Sequence, residues 1–232
     1  EASDIVLLDD NFGSIVSAVE EGRSIYNSIK KVILYLFSTG AGEMLTLVGA
    51  LILGLPLPLL AAQIIWLNFV TDGFLDMGLA MEPKEEGLLT RTFARPKKYL
   101  VDGAMFRRII LMSVVMMCGT LYLFKDYVGA DMTKAWTIAL TTLAVFQWFN
   151  AWNCRSDTES LFRMNLFSNK YLVGATAIVI ALQFLALHNP FAQSILHTTP
   201  LTLTEWITIL LMASSILVAE EIRKLFARLR TA

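Results

Sequence analysis

Acidic and amide side chains lie inside long apolar segments of this sequence. Each ionisable residue at bilayer depth costs at least about 2.5–3.5 kcal/mol on insertion scales, so its presence there suggests a function. Carboxylate, amide and hydroxyl oxygens are the ligands that hard cations such as Ca²⁺, Mg²⁺ and Na⁺ prefer, and they suit Cu⁺ and Zn²⁺ poorly. The candidate metal ligands are Glu43, Asn68, Thr71, Asp72, Asp76 and Gln147.

The spacing of these residues places most of them on one helix face. Asn68, Thr71 and Asp72 stand at positions i, i+3 and i+4, so they share a face, and Asp76 lies one turn further along it. Gln147, Asn150 and Asn153 occupy another apolar segment, where interhelical hydrogen bonds between packed helices remain an equally valid interpretation.

Glycines accompany the candidate ligands on both segments. Gly73 and Gly78 lie near Asp72, and glycine interruptions allow backbone carbonyls to join an ion site. Gly40 and Gly42 lie beside Glu43 and predict close approach of a neighbouring helix.

The composition is that of a membrane protein. Of 232 residues, 56% are apolar and 17% are charged, whereas soluble domains carry roughly 25% charged residues. The net charge of −1 gives no basic footprint for nucleic acid, and two cysteines are too few for a disulfide framework. A membrane helix needs about 20 mostly apolar residues. Six segments qualify: 32–55, 59–81, 106–124, 135–153, 171–188 and 203–219.

Basic residues predict the orientation of these spans. Of 19 Lys and Arg residues, 17 lie in the loops and tails of one side, and the exceptions are Lys125 and Lys134. Positive residues concentrate on the cytoplasmic side of membrane proteins. Both termini are therefore predicted to be cytoplasmic.

Three spans bring an oxygen ligand to nearly the same depth. Counted from the outer turn at Pro56–Pro58, Glu43 and Asp72 both lie roughly 21–22 Å into the bilayer at 1.5 Å per residue. Gln147 lies roughly 18 Å from the outer start of its span by the same rise. A membrane bundle with a cation site near its midplane follows.

The first thirty residues differ in kind from the rest. Residues 4–8 form an apolar run that ends at Asp9, Asp10 and Asn11, which is typical of a buried strand followed by a turn. From Ser14 onward the apolar residues recur at helical spacing and continue into the first span. We predict an all-α membrane protein, a six-transmembrane-helix bundle with a short cytoplasmic strand and a stalk helix at the N-terminus. The chain opens without Met, and we expect it to begin within a longer protein.

Several motifs resemble P-type cation-transporting ATPases. The N-terminal stretch resembles the end of their phosphorylation domain and the stalk of the fifth membrane helix: EASDIVL, DDNF, VEEGR and IY at residues 1–26. The run WLNFVTDG at residues 66–73 is similar to the sixth membrane helix of the calcium-pump branch. The six spans would then be membrane helices five to ten of that family, with residues 1–31 ending the phosphorylation domain and stalk and residues 32–232 forming the transport domain.

The resemblance implies a ligand set and two departures from it. Glu43, Asn68, Thr71 and Asp72 become ion ligands. Gly40 stands where the two-site calcium pumps have Asn, and Gln147 stands where they have Glu in the eighth helix, so we expect one ion per cycle. Asp76 is an additional carboxylate, expected to restore negative charge or to carry a counter-transported proton.

The resemblance also implies what must lie elsewhere. The phosphorylated Asp, the nucleotide-binding domain and the actuator domain would precede this chain, so we expect no catalytic residue here and assign ATP and Mg²⁺ to the parent protein. The transported cation would be Ca²⁺ first, with Mn²⁺, Mg²⁺ and Na⁺ as alternatives, in a prokaryotic plasma membrane. An ion-coupled secondary carrier and a non-transporting membrane scaffold are the competing hypotheses.

Overall fold

The computed structural model describes residues 12–84 and 100–231, and all regular structure within these ranges is helical. The α-helices are α1 (Phe12–Ile52), α2 (Ala61–Trp66), α3 (Gly73–Ala80), α4 (Gly103–Lys125), α5 (Met132–Asn153), α6 (Lys170–His188), α7 (Pro190–Leu196), α8 (Leu203–Ala213) and α9 (Ser215–Thr231). A π-helical segment, Leu67–Asp72, joins α2 to α3, and a 3-10 turn, Leu166–Ser168, precedes α6. The predicted strand at residues 4–8 lies outside the described residues.

Four helical stretches are long and apolar enough to cross a membrane: Phe12–Ile52, Gly103–Lys125, Lys170–His188 and Leu203–Leu229. They coincide with four of the six predicted spans and make this an integral membrane protein. The other two predicted spans, 59–81 and 135–153, are also helical. The first of these is divided by the π-helical segment, and the second is the more polar α5, which lies inside the bundle.

The predicted continuity of the stalk and the first span is confirmed by α1. This helix runs without a break for 41 residues, or about 60 Å at 1.5 Å per residue. It ends where Gly54 adopts a φ of 68°, and the amides of Gly54 and Leu55 bond back to the carbonyls of Leu51 and Ala50. A glycine in this left-handed conformation is the usual way to close the last turn of a helix.

Close helix packing explains two of the four glycines that the sequence singled out. A Cβ on Gly42 would lie 2.7 Å from the sulfur of Met116 on α4, and a Cβ on Gly78 would lie 2.9 Å from the Cα of Leu172 on α6. Around Gly40 and Gly73 a Cβ would meet nothing within 4 Å. The prediction of close helix approach is therefore right for Gly42 and wrong for Gly40 among the described residues.

The last predicted span ends too early. The helix resumes after Ser214 and continues as α9 to Thr231, well beyond the predicted end at residue 219. Glu220 and Lys224, on its inner face, are 1% and 0% exposed, and Arg108 of α4 pairs with Glu220 at 2.5 Å. Buried ion pairing allows the helix to continue through residues that hydropathy alone reads as the end of a span.

Candidate cation site

The carboxylate of Glu43 is the meeting point of three elements. Asn68, in the π-helical segment, donates from Nδ2 to Glu43 Oε2 at 2.7 Å. Gln147, on α5, donates from Nε2 to Glu43 Oε1 at 2.7 Å. Glu43 is 5% exposed and Gln147 is fully buried, whereas Asn68 is exposed. The structure thus brings three of the six predicted residues into one hydrogen-bonded group that is open on the Asn68 side.

The carboxylate of Asp72 has a different set of partners. The hydroxyl of Tyr35 donates to Oδ1 at 2.7 Å, and the hydroxyl of Thr39 donates to Oδ2 at 3.0 Å. Both α1 side chains are fully buried. A buried carboxylate without donors carries a large desolvation cost, and hydrogen bonds to both oxygens offset part of it.

Sequence reasoning missed Tyr35 and Thr39, although a signal for them was present. They precede Glu43 by eight and four residues, a spacing that puts all three on one face of α1. Helix α1 therefore presents two donors to Asp72 and one carboxylate to Asn68 and Gln147.

The remaining two predicted residues make fewer contacts. Thr71 is 2% exposed and lies in the π-helical segment with Asn68 and Asp72. Asp76 is half-buried in α3, and its Oδ1 is buried without a hydrogen-bond partner in the described structure. Gln147 has a similar atom, since its Oε1 is also buried and unpartnered there. Both oxygens are acceptors available to a ligand.

The donor set consists of hard oxygens rather than a cluster of metal-binding nitrogen and sulfur groups. Within residues 12–84 and 100–231, no group of three or more His, Cys, Asp or Glu side chains stands close enough to hold a metal ion. Glu43 and Asp72 supply two carboxylates, and the amide groups of Asn68 and Gln147 donate to Glu43 from two other elements. Carboxylate, amide and hydroxyl groups are the kind of ligand that hard cations such as Ca²⁺ take.

Comparison with known proteins identifies the chain. The family model described as "Cation transporting ATPase, C-terminus" matches residues 56–226. The chain belongs to this family of cation-transporting ATPases. The comparison supports its being the C-terminal part of a P-type ATPase.

Individual relatives of this ATPase segment are similar along nearly its whole length. The "Probable cation-transporting ATPase F" of Mycobacterium tuberculosis is 35% identical over 233 residues, covering 99% of this chain and 26% of the relative. The "Calcium-transporting ATPase" of Bacillus subtilis is 36% identical over 217 residues, covering 92% of this chain and 24% of the relative. The "Calcium-transporting ATPase 1" of Saccharomyces cerevisiae is 31% identical over 231 residues, covering 98% and 24%. The chain thus spans about a quarter of the length of these relatives.

The local backbone of the ATPase segment changes at three of the predicted ligands. Asn68, Thr71 and Asp72 all fall within the π-helical segment Leu67–Asp72. Single π-helical turns inside α-helices are rare, and those that occur often lie at functional sites. The irregular segment ends directly before Gly73, as the prediction of a weakened helix near this glycine requires, whereas Gly78 lies within the regular helix α3.

The two asparagines weighed as alternatives serve helix packing. Asn150 donates to the hydroxyl of Ser38 on α1 at 2.7 Å, and Asn153 donates to the carbonyl of Ile216 on α9 at 3.2 Å. Both asparagines thus join α5 to another helix, although the Oδ1 of Asn153 is buried without a partner in the described structure.

Proposed function

We propose that this segment carries the ion-binding half of an ATP-driven P-type pump that exports Ca²⁺ from the cytoplasm. The observation that carries the proposal is the Glu43 carboxylate, which joins Asn68 and Gln147 from two other elements at 2.7 Å each. A Ca²⁺ ion would be bound by carboxylate, amide and hydroxyl oxygens of Glu43, Asn68, Thr71, Asp72 and Gln147.

Binding requires a specific exchange of contacts. In the described arrangement the amide nitrogens of Asn68 and Gln147 face Glu43. A cation takes oxygen atoms, so both amides would turn their oxygens inward and release Glu43 to the ion. The unpartnered Oε1 of Gln147 is then satisfied.

The long helix α1 supports an alternating-access mechanism. Tyr35, Thr39 and Glu43 lie on one continuous helix, and the N-terminal half of this helix forms the stalk. A stalk displacement driven by the upstream phosphorylation, nucleotide-binding and actuator domains would shift these three side chains together against Asp72. That shift lowers the ion affinity and opens the site outward.

The proposed topology has six spans with both termini in the cytoplasm, in a prokaryotic plasma membrane. Four of the spans are the apolar stretches. The fifth runs from α2 through the π-helical segment to α3, and the sixth is α5. In this arrangement residues 1–31 join the pump's soluble part to the transport domain at residues 32–232. These last two spans are less apolar than the other four because they carry predicted ligands.

Asp76 adds a further carboxylate near the five proposed ligands. Its Oδ1 is buried and unpartnered in the described structure, and the carboxylate would supply negative charge on the cytoplasmic side of Asp72 when a cation is bound, or carry a counter-transported proton when the site is empty. Asp76→Asn should weaken Ca²⁺ activation of transport, and unchanged affinity with an unchanged pH dependence of transport would reject this role.

The proposal is tested with the full-length protein in inside-out vesicles. ATP-dependent Ca²⁺ uptake by the wild type should be lost in Glu43→Gln and Asp72→Asn. Glu205→Gln is a matched control, because this carboxylate pairs with Lys134 on the opposite side of the bundle. Equal uptake in the wild type and both site variants would contradict the proposal.

A further inference from the structure

A buried ion pair lies at the end of the ion-binding segment, which is the part of the chain from residue 67 to residue 80 that carries four of the predicted ligands. Glu82 follows α3 by two residues, and Arg155 follows α5 by two residues. The Nε of Arg155 lies 3.0 Å from Oε1 and 3.1 Å from Oε2 of Glu82, and its Nη2 lies 3.0 Å from Oε1. The side chains of Arg155 and Glu82 are only 1% and 7% exposed.

A third element completes this contact. Asn169, which caps α6 by accepting from the Leu172 amide, donates to Glu82 Oε2 at 2.6 Å and to the carbonyl of Gly78 at 2.9 Å. Arg155 also donates to the hydroxyl of Ser168 at 2.7 Å. The charged groups of the pair therefore have several directed partners, as a buried ion pair requires to be stable.

Backbone packing reinforces the same attachment. Gly78 lies so close to α6 that a Cβ would fall 2.9 Å from the Cα of Leu172. Small residues allow such close helix contacts in membranes. The cytoplasmic end of α3 is thus joined to α6 by backbone contact and to α5 by the ion pair.

The ion pair between this end and the stalk is exposed. Lys84 pairs with Glu21 of α1, and their side chains are 51% and 52% exposed. Surface ion pairs of this kind contribute little, because solvent screens them and both long side chains lose freedom. The buried polar contacts of Glu82 therefore go to Arg155 after α5 and to Asn169 at the start of α6, whereas Asn68 and Asp72, earlier in the same segment, bond to α1.

We propose that Glu82, Arg155 and Asn169 are positioning residues that hold the ion-binding segment, residues 67–80, on α5 and α6 while α1 moves. In this arrangement Asp72 and Asn68 stay with Gln147 of α5, and the movement of α1 alone changes the ligand distances. This inference rests on the proposed function, and it assigns a role in cation affinity to residues that touch no ion.

The experiment uses the full-length protein with Glu82→Gln, Arg155→Gln and the double variant. Residues that touch no ligand act on the affinity through the packed elements they hold, so each single variant should raise the Ca²⁺ concentration for half-maximal ATP-dependent uptake several-fold. The double variant should be no worse than either single variant, because it leaves no unpaired buried charge. Hydrogen exchange of residues 73–80 should accelerate in both single variants.

Glu220→Gln is the matched control, since Glu220 is an equally buried carboxylate paired with Arg108 at 2.5 Å and contacts neither α3 nor the ion ligands in the described structure. It should leave the half-maximal Ca²⁺ concentration and the exchange of residues 73–80 unchanged. An unchanged half-maximal concentration in Glu82→Gln and Arg155→Gln, or an equal shift in Glu220→Gln, overturns the positioning role. If hydrogen exchange of residues 73–80 is no faster in Glu82→Gln and Arg155→Gln than in the wild type, the positioning role is overturned whatever the transport result. Failure of the proposed function would appear separately, as uptake that survives Glu43→Gln and Asp72→Asn.

Discussion

The Nε2 of Gln147 donates to the Oε1 of Glu43 at 2.7 Å, across 104 residues of sequence. This contact joins the central helix α5 to the stalk helix α1 at the candidate site. The amide oxygen of Gln147, Oε1, is buried without a partner in the described structure. One side chain therefore both donates to the proposed ligand Glu43 and presents an acceptor of its own.

Replacing Gln147 with leucine removes both functions while keeping a side chain of similar size. We expect the Ca²⁺ concentration for half-maximal uptake to rise about tenfold, which corresponds to about 1.4 kcal/mol of binding free energy. Gln183→Leu is the control, because Gln183 is equally buried but bonds to Trp66 and Thr141 instead. A shift of the same size in both variants would show that the loss of any buried glutamine lowers the apparent Ca²⁺ affinity. That result would contradict a specific role for Gln147.

Gly40→Asn tests the missing ligand that the family resemblance implies. A Cβ at Gly40 would meet nothing within 4 Å, so the side chain fits and brings an amide oxygen one turn before Glu43. We expect stronger Ca²⁺ binding or a second bound ion in equilibrium binding measurements. Gly42→Asn should instead destabilise the protein, since a Cβ there lies 2.7 Å from the Met116 sulfur. If Gly40→Asn folds but binds as the wild type does, the open space at Gly40 does not belong to the site.

Thr39→Val removes one of the two donors to Asp72 while keeping the shape of the side chain. A hydrogen bond to a charged group contributes about 1.5–3 kcal/mol, so we expect altered Ca²⁺ affinity together with reduced thermal stability of the ion-free protein. Thr46→Val is the control on the same helix, because Thr46 is also fully buried and bonds only to the Gly42 carbonyl. Identical Ca²⁺ titrations for both variants and the wild type would exclude Thr39 from the Asp72 environment.

Gly78→Ala should separate α3 from α6. The added methyl would lie 2.9 Å from the Leu172 Cα, and overpacking of this kind typically costs about 1–3 kcal/mol. Gly73→Ala, with nothing within 4 Å of its Cβ, should stabilise the helix by about 1 kcal/mol. Thermal unfolding of the detergent-solubilised full-length protein measures both, and a higher melting temperature for Gly78→Ala would contradict the packing described here.

The sequence predicted the proximity of Glu43 and Gln147 better than it predicted the residues around them. Matched depth brought Glu43 and Gln147 to one level, because helix rise is constant and carboxylates at bilayer depth are rare. The division of the ligands into a Glu43 group and an Asp72 group was not predictable, since it depends on the rotation of α1 that directs Thr39 toward Asp72. The position of the π-helical segment was not predicted: it ends just before Gly73, and Gly78 instead serves packing against α6.

The burial of the charged residues near the helix ends was the least predictable part. Hydropathy treats Arg108, Arg155 and Lys224 as residues outside the membrane core, yet they are 4%, 1% and 0% exposed. Their burial depends on partners that come from distant elements, such as Glu82 for Arg155. A pattern along one helix cannot indicate which of its charges will find a partner on another.

Equilibrium Ca²⁺ binding to the full-length protein without ATP tests the central claim most directly. The account predicts one bound ion per molecule in the wild type and no bound ion in a Glu43→Gln, Asp72→Asn double variant that folds normally. Binding of the same number of ions with the same affinity by that variant would contradict it.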